Sequence, residues 1–445
     1  MNQIEQIETD VDVLIIGAGP AGSVAASILQ REKFRVLVVE KQEFPRFVIG
    51  ESMLPISMNL LADAGLLEAV QKQKFMRKNG AVFLRGDEVC NFDFSSQFTD
   101  GWNYTYQVPR ADFDKTLADT VAARGVEILY RHGVTAVDFA PEYATATVEK
   151  PDGGKFNVKA KFIVDASGYG RVLPRLLDLE TPSKFPQRAA LFTHVTGDIR
   201  PEGGEEGKIW VCLHPGGAWI WIIPFSNGKT SVGVVAGTEF FEQYPGEPDA
   251  QLRAILAGDP NATKRLANME FDFPAQSISG YACSVKKIFD ERFVLVGNAT
   301  EFLDPVFSSG VALALASSQR AAQILVRQLR GEPVDWQVEY ADHVMQGINT
   351  FRAYVNAWYE GKLPTIFFAA NRNPDVLRQI CSVLAGYVWD KSNPYVTQSD
   401  RALGLLAKIL KPQNQSLVTR CDLTAPPFRA GLRRASRVAR AVAII

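Results

Sequence analysis

Three glycines, Gly17, Gly19 and Gly22, form a GxGxxG pattern directly after the apolar run at residues 11–16. Glycines at this spacing let a backbone turn sharply and approach a pyrophosphate. A helix that starts there adds free N–H groups and a favourable dipole. Glu40 stands where a carboxylate accepts hydrogen bonds from ribose hydroxyls. Two tryptophans, Trp219 and Trp221, flank Ile220 in GAWIWIIPF. They offer large flat apolar surfaces on one side of a strand. Ser308, Ser309 and Gly310 open a second helical stretch, where N–H groups can face another polar part of a ligand.

These residues need elements to hold them. Residues 11–16 read as a buried parallel strand, residues 23–30 as a helix and residues 35–40 as a second strand. Strand, glycine turn, helix, strand and acid together specify a dinucleotide site. The motif by itself does not separate NAD from FAD. Three more segments follow: FPRFVIGESMLP at 44–55, a strand at 161–177 that ends in Asp165-Ala166-Ser167-Gly168, and strand, loop and long helix at 292–325. Strands at 208–213, 218–225 and 230–236 predict an antiparallel meander. Alternation then puts Trp219 and Trp221 on one face and Ile220 and Ile222 on the other. By spacing alone the two indoles are core filling. By charge pattern alone, Lys72, Lys74, Arg77 and Lys78 in QKQKFMRKNG make a solvated basic turn. Residues 332–445 predict mostly helix, with apolar periodicity at 338–359 and 375–389. The aromatics Phe351, Tyr354, Trp358, Tyr359, Phe367 and Phe368 either line a pocket mouth or pack between helices.

In combination these segments resemble the FAD-dependent monooxygenase superfamily, typified by para-hydroxybenzoate hydroxylase, over most of residues 10–330. The resemblance implies one extended FAD held by Gly17, Gly19, Gly22, Glu40, Glu51, Ser52, Arg110, Asp165, Asn298, Asp304, Pro305, Ser309 and Gly310. WxWxIP at 219–224 resembles the signature of flavin-dependent halogenases. Phe302, Pro305, Ser308 and Gly310 give FxxPxxSxG, the second motif of that family. FMRKNGAVF at 75–83 looks like the segment that carries its active-site lysine, which would be Lys78, with Lys74 as the fallback. The implied catalytic set is Lys78, Trp219, Trp221 and Ser308, with halide held by N–H groups at Ser309 and Gly310. Reduced FAD and O2 would oxidise chloride or bromide to hypohalous acid. The indoles would keep the organic substrate from the flavin. Lys78 would deliver the halogen to a phenol or pyrrole, free or on an acyl or peptidyl carrier protein.

Two departures from the family pattern bear on this. Asn298 follows Gly297 where the superfamily has aspartate; it keeps an acceptor, adds donors and loses the charge. Phe307 stands where tryptophan halogenases have a glutamate. That version resembles the phenol and pyrrole halogenases, whose electron-rich rings need less help from an acid. There is no second GxGxxG, which suits a partner flavin reductase. Two rivals remain: a flavin monooxygenase or dehydrogenase on this scaffold without halide use, and a non-catalytic FAD-binding partner of a biosynthetic complex.

The expected fold class is α/β. An FAD-binding Rossmann-like domain (10–75, 105–178 and 285–330) is interleaved with an antiparallel-sheet substrate domain (76–104 and 179–284). A helical C-terminal region (331–445) follows. The net charge of −1, from 48 basic and 49 acidic side chains, leaves no electrostatic footprint for nucleic acid. Five scattered cysteines without a CxxC pair predict reduced thiols and a cytoplasmic protein. Four separated histidines predict no metal site. The polar N-terminus reads as no signal peptide, and no apolar run reaches the ~18 residues of a membrane span. Arg429, Arg433, Arg434, Arg437 and Arg440 make the far C-terminus a basic, partly amphipathic stretch. It is either solvated, a docking surface for an acidic carrier, or a membrane-surface contact.

Overall fold

The computed structural model describes residues 5–183 and 185–411. The basic stretch at 429–445 and Cys421 lie outside the described residues. The other four cysteines are free thiols.

The glycine motif sits at the end of the strand Glu5–Ile16. This strand is central in a sheet, parallel to Val36–Glu40 on one side and Lys155–Asp165 on the other. Phe293–Leu295 and Glu127–Tyr130 extend the parallel order outward. Val13 and Ile15 pack into one core and Leu14 and Ile16 into another, which is why the run is continuously apolar. The helix Pro20–Arg31 starts straight after the turn and packs on the long helix Ser309–Leu329. The carboxyl ends of the parallel strands therefore converge on one crevice, the usual ligand position in such sheets.

The second sheet carries the tryptophans. Trp219–Pro224 lies between Ile209–Leu213 and Thr230–Ala236, antiparallel to both. The expected alternation holds: Trp219, Trp221 and Ile223 face the core shared with the nucleotide domain. Ile220 and Ile222 face the other way, against Leu252, Ile255 and Leu256 of the helix Pro248–Ala257. The sheet is mixed rather than wholly antiparallel, because Ile209–Leu213 runs parallel to Gly80–Arg85. Parallel neighbours cannot be joined by a hairpin, and here the chain between them passes through the nucleotide sheet.

A buried ion pair locks the far face of this sheet. Arg265 donates from Nε to Asp198 Oδ1 at 2.8 Å and from Nη2 to Oδ2 at 3.1 Å. Both side chains are 1% exposed, and Arg265 also lies over the Trp210 ring. Asp198→Asn would leave the guanidinium buried without its counter-charge. We expect it to cost about 3–5 kcal/mol of stability, read as a lower midpoint in denaturant. An unchanged midpoint would show that the pair contributes nothing.

The C-terminal helices include Asp342–Tyr359, Lys362–Phe367, Pro374–Leu384 and Ser399–Leu410. The helix expected to run to 389 stops at Leu384. Gly386 follows in the left-handed region, where it ends the helix, and a Cβ there would meet Ile56 at 2.4 Å. Phe351, Tyr354, Trp358 and Phe367 are buried core, with Trp358 and Phe367 against Phe83. Tyr359 behaves differently, as described below. Among the described residues no helix is long and apolar enough to cross a membrane.

Candidate active site

A cavity of about 630 Å³ runs from the glycine turn to the two tryptophans. Gly17 has φ +101°, and a Cβ there would stand 2.6 Å from the Ala166 carbonyl oxygen. A Cβ on Gly22 would stand 1.9 Å from the Gly17 carbonyl oxygen. Gly19 caps the helix with no side chain in the way, so the first N–H groups face the cavity region. Glu40 accepts from the Ala18 and Gln42 N–H groups at 2.8 and 2.9 Å, which fixes its carboxylate at the crest of the turn. Glu51, Ser52, Arg110, Asn298, Pro305 and Gly310 also line the cavity.

Arg110 is a holder as much as a contact. It makes a bidentate pair with Asp114 at 2.8 and 2.9 Å and donates to the Ile49 and Gly50 carbonyls at 3.3 Å. Arg46 joins the same Asp114 at 2.9 Å and lines the cavity beside Gly19. Sequence reasoning passed over Arg46; its only signal is a basic residue inside the 44–55 segment. Asp165 is not on the cavity wall. Its carboxylate accepts from the Ser167 and Leu173 N–H groups at 2.9 and 2.7 Å and so supports the loop that is. Gly22, Asp304 and Ser309 likewise stand behind the wall.

Trp219 and Trp221 are 3% and 4% exposed, with ring centroids 6.0 Å apart. Trp219 Nε1 donates to Tyr359 Oη at 3.0 Å, and Trp221 Nε1 donates to Ser231 Oγ at 3.0 Å. Both indole donors are thus occupied, and the rings offer the cavity an apolar wall. Trp221 fits because Gly233 lies opposite: a Cβ there would stand 2.2 Å from the indole. Core packing and wall building are here the same arrangement.

The four cations of the expected basic turn separate. Lys72 pairs with Glu68 in solvent, Arg77 lies over the Tyr104 ring, and Lys74 is exposed. Lys78 is 1% exposed, so the solvated-turn expectation fails for it. The short strand Met76–Lys78 pairs with Thr105–Gln107 and turns this side chain inward. Its Nζ donates to Ser52 Oγ at 2.8 Å and to the Met53 carbonyl at 2.9 Å. Among the described residues no carboxylate forms an ion pair with it. Burial pushes its pKa down to about 7. Ser52 lines the cavity while its hydroxyl holds the lysine, so Lys78 stands one side chain behind the wall.

Two buried acids complete the site. Glu51 Oε1 pairs with His194 Nε2 at 2.7 Å, and its Oε2 is buried without a partner. Phe47, Phe225 and Phe273 enclose the histidine. Asp304 accepts from Tyr359 Oη at 2.8 Å and from the Val306 N–H at 3.0 Å, with Arg188 Nε 4.0 Å away. Burial pushes the Asp304 carboxyl up to about 6. Ser308 adopts φ +56° and leads into the helix Ser309–Leu329, whose first N–H groups have no partner within the helix. Phe307 is buried edge-on to Tyr354 and Trp358, so its position supplies no acid.

A glycine-turn cradle, an acid at the second strand and a flat apolar wall at the cavity's far end fit a dinucleotide with a ring system at one end. This is the site of a flavoprotein. Residues 10–344 match the family model described as FAD binding domain. The flavin-dependent halogenase armH3 of Armillaria mellea is 32% identical over 350 residues, 73% of this chain and 69% of that one. The 1H-pyrrole-2-carbonyl-[peptidyl-carrier protein] brominase of Pseudoalteromonas luteoviolacea is 29% identical over 386 residues, 85% of this chain and 92% of that one. The crystal structure of a flavoprotein/dehydrogenase from Cytophaga hutchinsonii superposes with a TM-score of 0.88 at 50% identity, covering 90% of this chain and 98% of that one. The chain belongs to the flavin-dependent halogenase family, within the FAD-dependent monooxygenase superfamily, and FAD is its cofactor.

Proposed function

We propose that the protein halogenates an electron-rich aromatic ring, a phenol or a pyrrole, using reduced FAD, O2 and chloride or bromide. The observation that carries this reading is Lys78: a buried amine without a counter-ion, one side chain behind a cavity walled by paired indoles. A cation placed there for structure alone would be a poor choice, since burial penalises its charge.

Bound FAD, once reduced, supplies the activation of O2 that oxidises the halide. The protein's own residues do the rest. N–H groups at Ser309 and Gly310 hold the halide at the helix N-terminus. Ser308 sets that turn. Trp219 and Trp221 keep organic substrate and bulk water from the flavin side. Lys78 donates a hydrogen bond to hypohalous acid, or its neutral amine takes the halogen as a haloamine and releases water. Gly17, Gly19, Gly22, Glu40, Glu51, Ser52, Arg110, Asn298 and Pro305 form or brace the FAD cradle, with Asp165 and Asp304 behind it. The segments assigned to the nucleotide are 10–75, 105–178 and 285–330, and those assigned to the substrate are 76–104 and 179–284. A flavin reductase delivers reduced flavin, and the free thiols fit a cytoplasmic setting.

The pyrrole brominase acts on a carrier-tethered ring, and Phe307, which offers no acid, supports a ring electron-rich enough to react without one. A substrate on an acyl or peptidyl carrier is therefore the first to try. Turnover with reduced FAD, O2, bromide and a panel of free and carrier-bound phenols and pyrroles should give a product with the bromine isotope doublet. Oxygenated or desaturated products that form without halide would instead support the flavoprotein/dehydrogenase reading raised by the Cytophaga structure.

The wall itself is open to test. Trp221→Ala removes an indole of the barrier. Hydrogen peroxide yield per flavin oxidised should rise several-fold, while FAD stays bound through the distant glycine cradle. An unchanged yield would leave Trp221 as core packing only.

A further inference from the structure

The glutamate of the tryptophan-directed enzymes is absent at Phe307, yet a buried carboxyl lies three positions upstream. Asp304, Tyr359 and Trp219 form a chain of hydrogen bonds across three elements. Trp219 Nε1 to Tyr359 Oη is 3.0 Å, and Tyr359 Oη to Asp304 Oδ2 is 2.8 Å. Asp304 also caps the short turn Pro305–Phe307 by accepting from the Val306 N–H. That turn leads through Ser308 to the start of the helix Ser309–Leu329. We propose that Asp304 and Tyr359 are positioning residues that hold the Trp219 indole by its N–H and tie it to the Ser308–Gly310 turn, so that the wall and the halide-binding turn act as one unit. The functional consequence rests on the halogenase reading; the hydrogen-bonded chain itself does not.

The direction of the chain follows from the donors. A tyrosine hydroxyl has one proton. Tyr359 gives it to Asp304 and can then accept from the Trp219 N–H with its lone pairs. The order is Trp219 to Tyr359 to Asp304, and it requires the carboxylate form. A protonated Asp304 would compete as a donor at the same hydroxyl and weaken the order. Among the described residues, Arg188, Tyr281 and Tyr359 are the charged or titratable groups that act on Asp304. Arg188 Nε lies 4.0 Å away, and the Arg188 guanidinium sits 3.4 Å over the Tyr359 ring. Tyr281 faces it with a buried hydroxyl that has no partner. Burial raises the carboxyl, and Val306, Tyr359 and Arg188 oppose that without cancelling it.

The test uses FAD-loaded protein labelled with 5-fluorotryptophan. Trp219→Phe identifies the Trp219 fluorine resonance. Its chemical shift should titrate with a midpoint near pH 6, where Asp304 changes charge. Tyr359→Phe keeps the ring beneath Arg188 and removes only the hydroxyl, so that titration should disappear and peroxide yield should rise several-fold. A Trp219 resonance that is the same in Tyr359→Phe as in the native protein at every pH would overturn the proposal. A Tyr359-dependent titration in a protein whose flavin ignores halide would keep the hydrogen-bonded chain and sink the halogenase reading instead.

Discussion

Lys78→Met abolishes halogenation and makes the protein more stable. We expect product formation to fall by about 10²–10⁴-fold while reduced FAD is still oxidised by O2 at the native rate. The stability change follows from the lysine's environment. Unfolded, its amine has the ordinary pKa of 10.5; folded, burial lowers it to about 7. Between those values the unfolded chain binds more protons, so native stability falls as pH drops from 10.5 toward 7 and is level below that. The gap corresponds to at most about 5 kcal/mol at neutral pH. Methionine has a similar length and no charge, so it removes this cost. The melting temperature at pH 7 should rise. On the haloamine route native halogenation should gain rate as pH rises through about 7, because the neutral amine is the form that accepts a halogen; a fall over the same range would mark the hydrogen-bond-donor route. A variant that still halogenates, or that loses stability at pH 7, would remove Lys78 from this role.

Gly22→Val empties the flavin site. The new Cβ would lie 1.9 Å from the Gly17 carbonyl oxygen, a backbone atom that cannot swing aside. Gly17 has φ +101° and is itself hard against Ala166, so the turn cannot retreat. The strain amounts to about 3 kcal/mol or more, and FAD affinity should weaken by at least about 100-fold. The protein should purify colourless, and a flavin fluorescence titration should show the loss. Native FAD content would show that the glycine turn does not carry the pyrophosphate.

The glycine turn was readable in the sequence because it is local. Gly17, Gly19, Gly22 and Glu40 lie within one strand–helix–strand unit, whose backbone geometry neighbouring residues fix. The faces of Trp219 and Trp221 were readable for the same reason, since strand alternation is a property of adjacent residues. What they bond to was not. Tyr359 lies 140 positions from Trp219, and His194 lies 143 from Glu51. Nothing in their local sequence marks either as polar anchors of a core. The charge pattern misread Lys78 because its burial depends on the pairing of Met76–Lys78 with Thr105–Gln107 and on Ser52, 26 positions away. Asp165 shows the opposite error. A carboxylate at the end of a parallel strand looks ligand-facing, yet two backbone N–H groups take both of its oxygens. The parallel pairing of Ile209–Leu213 with Gly80–Arg85 was equally hidden, since only the passage of the chain through the other sheet creates it.

The most direct measurement needs no organic substrate. Protein holding reduced FAD is mixed in a stopped-flow instrument with oxygenated buffer, with and without bromide or chloride. A halide-oxidising site predicts that one halide, in a saturable way, speeds the return of the oxidised-flavin absorbance. It also predicts that hypohalous acid, trapped by a halogen-accepting dye, replaces hydrogen peroxide as the product. Identical rates and full peroxide yield with and without both halides would contradict the halogenase reading of this site.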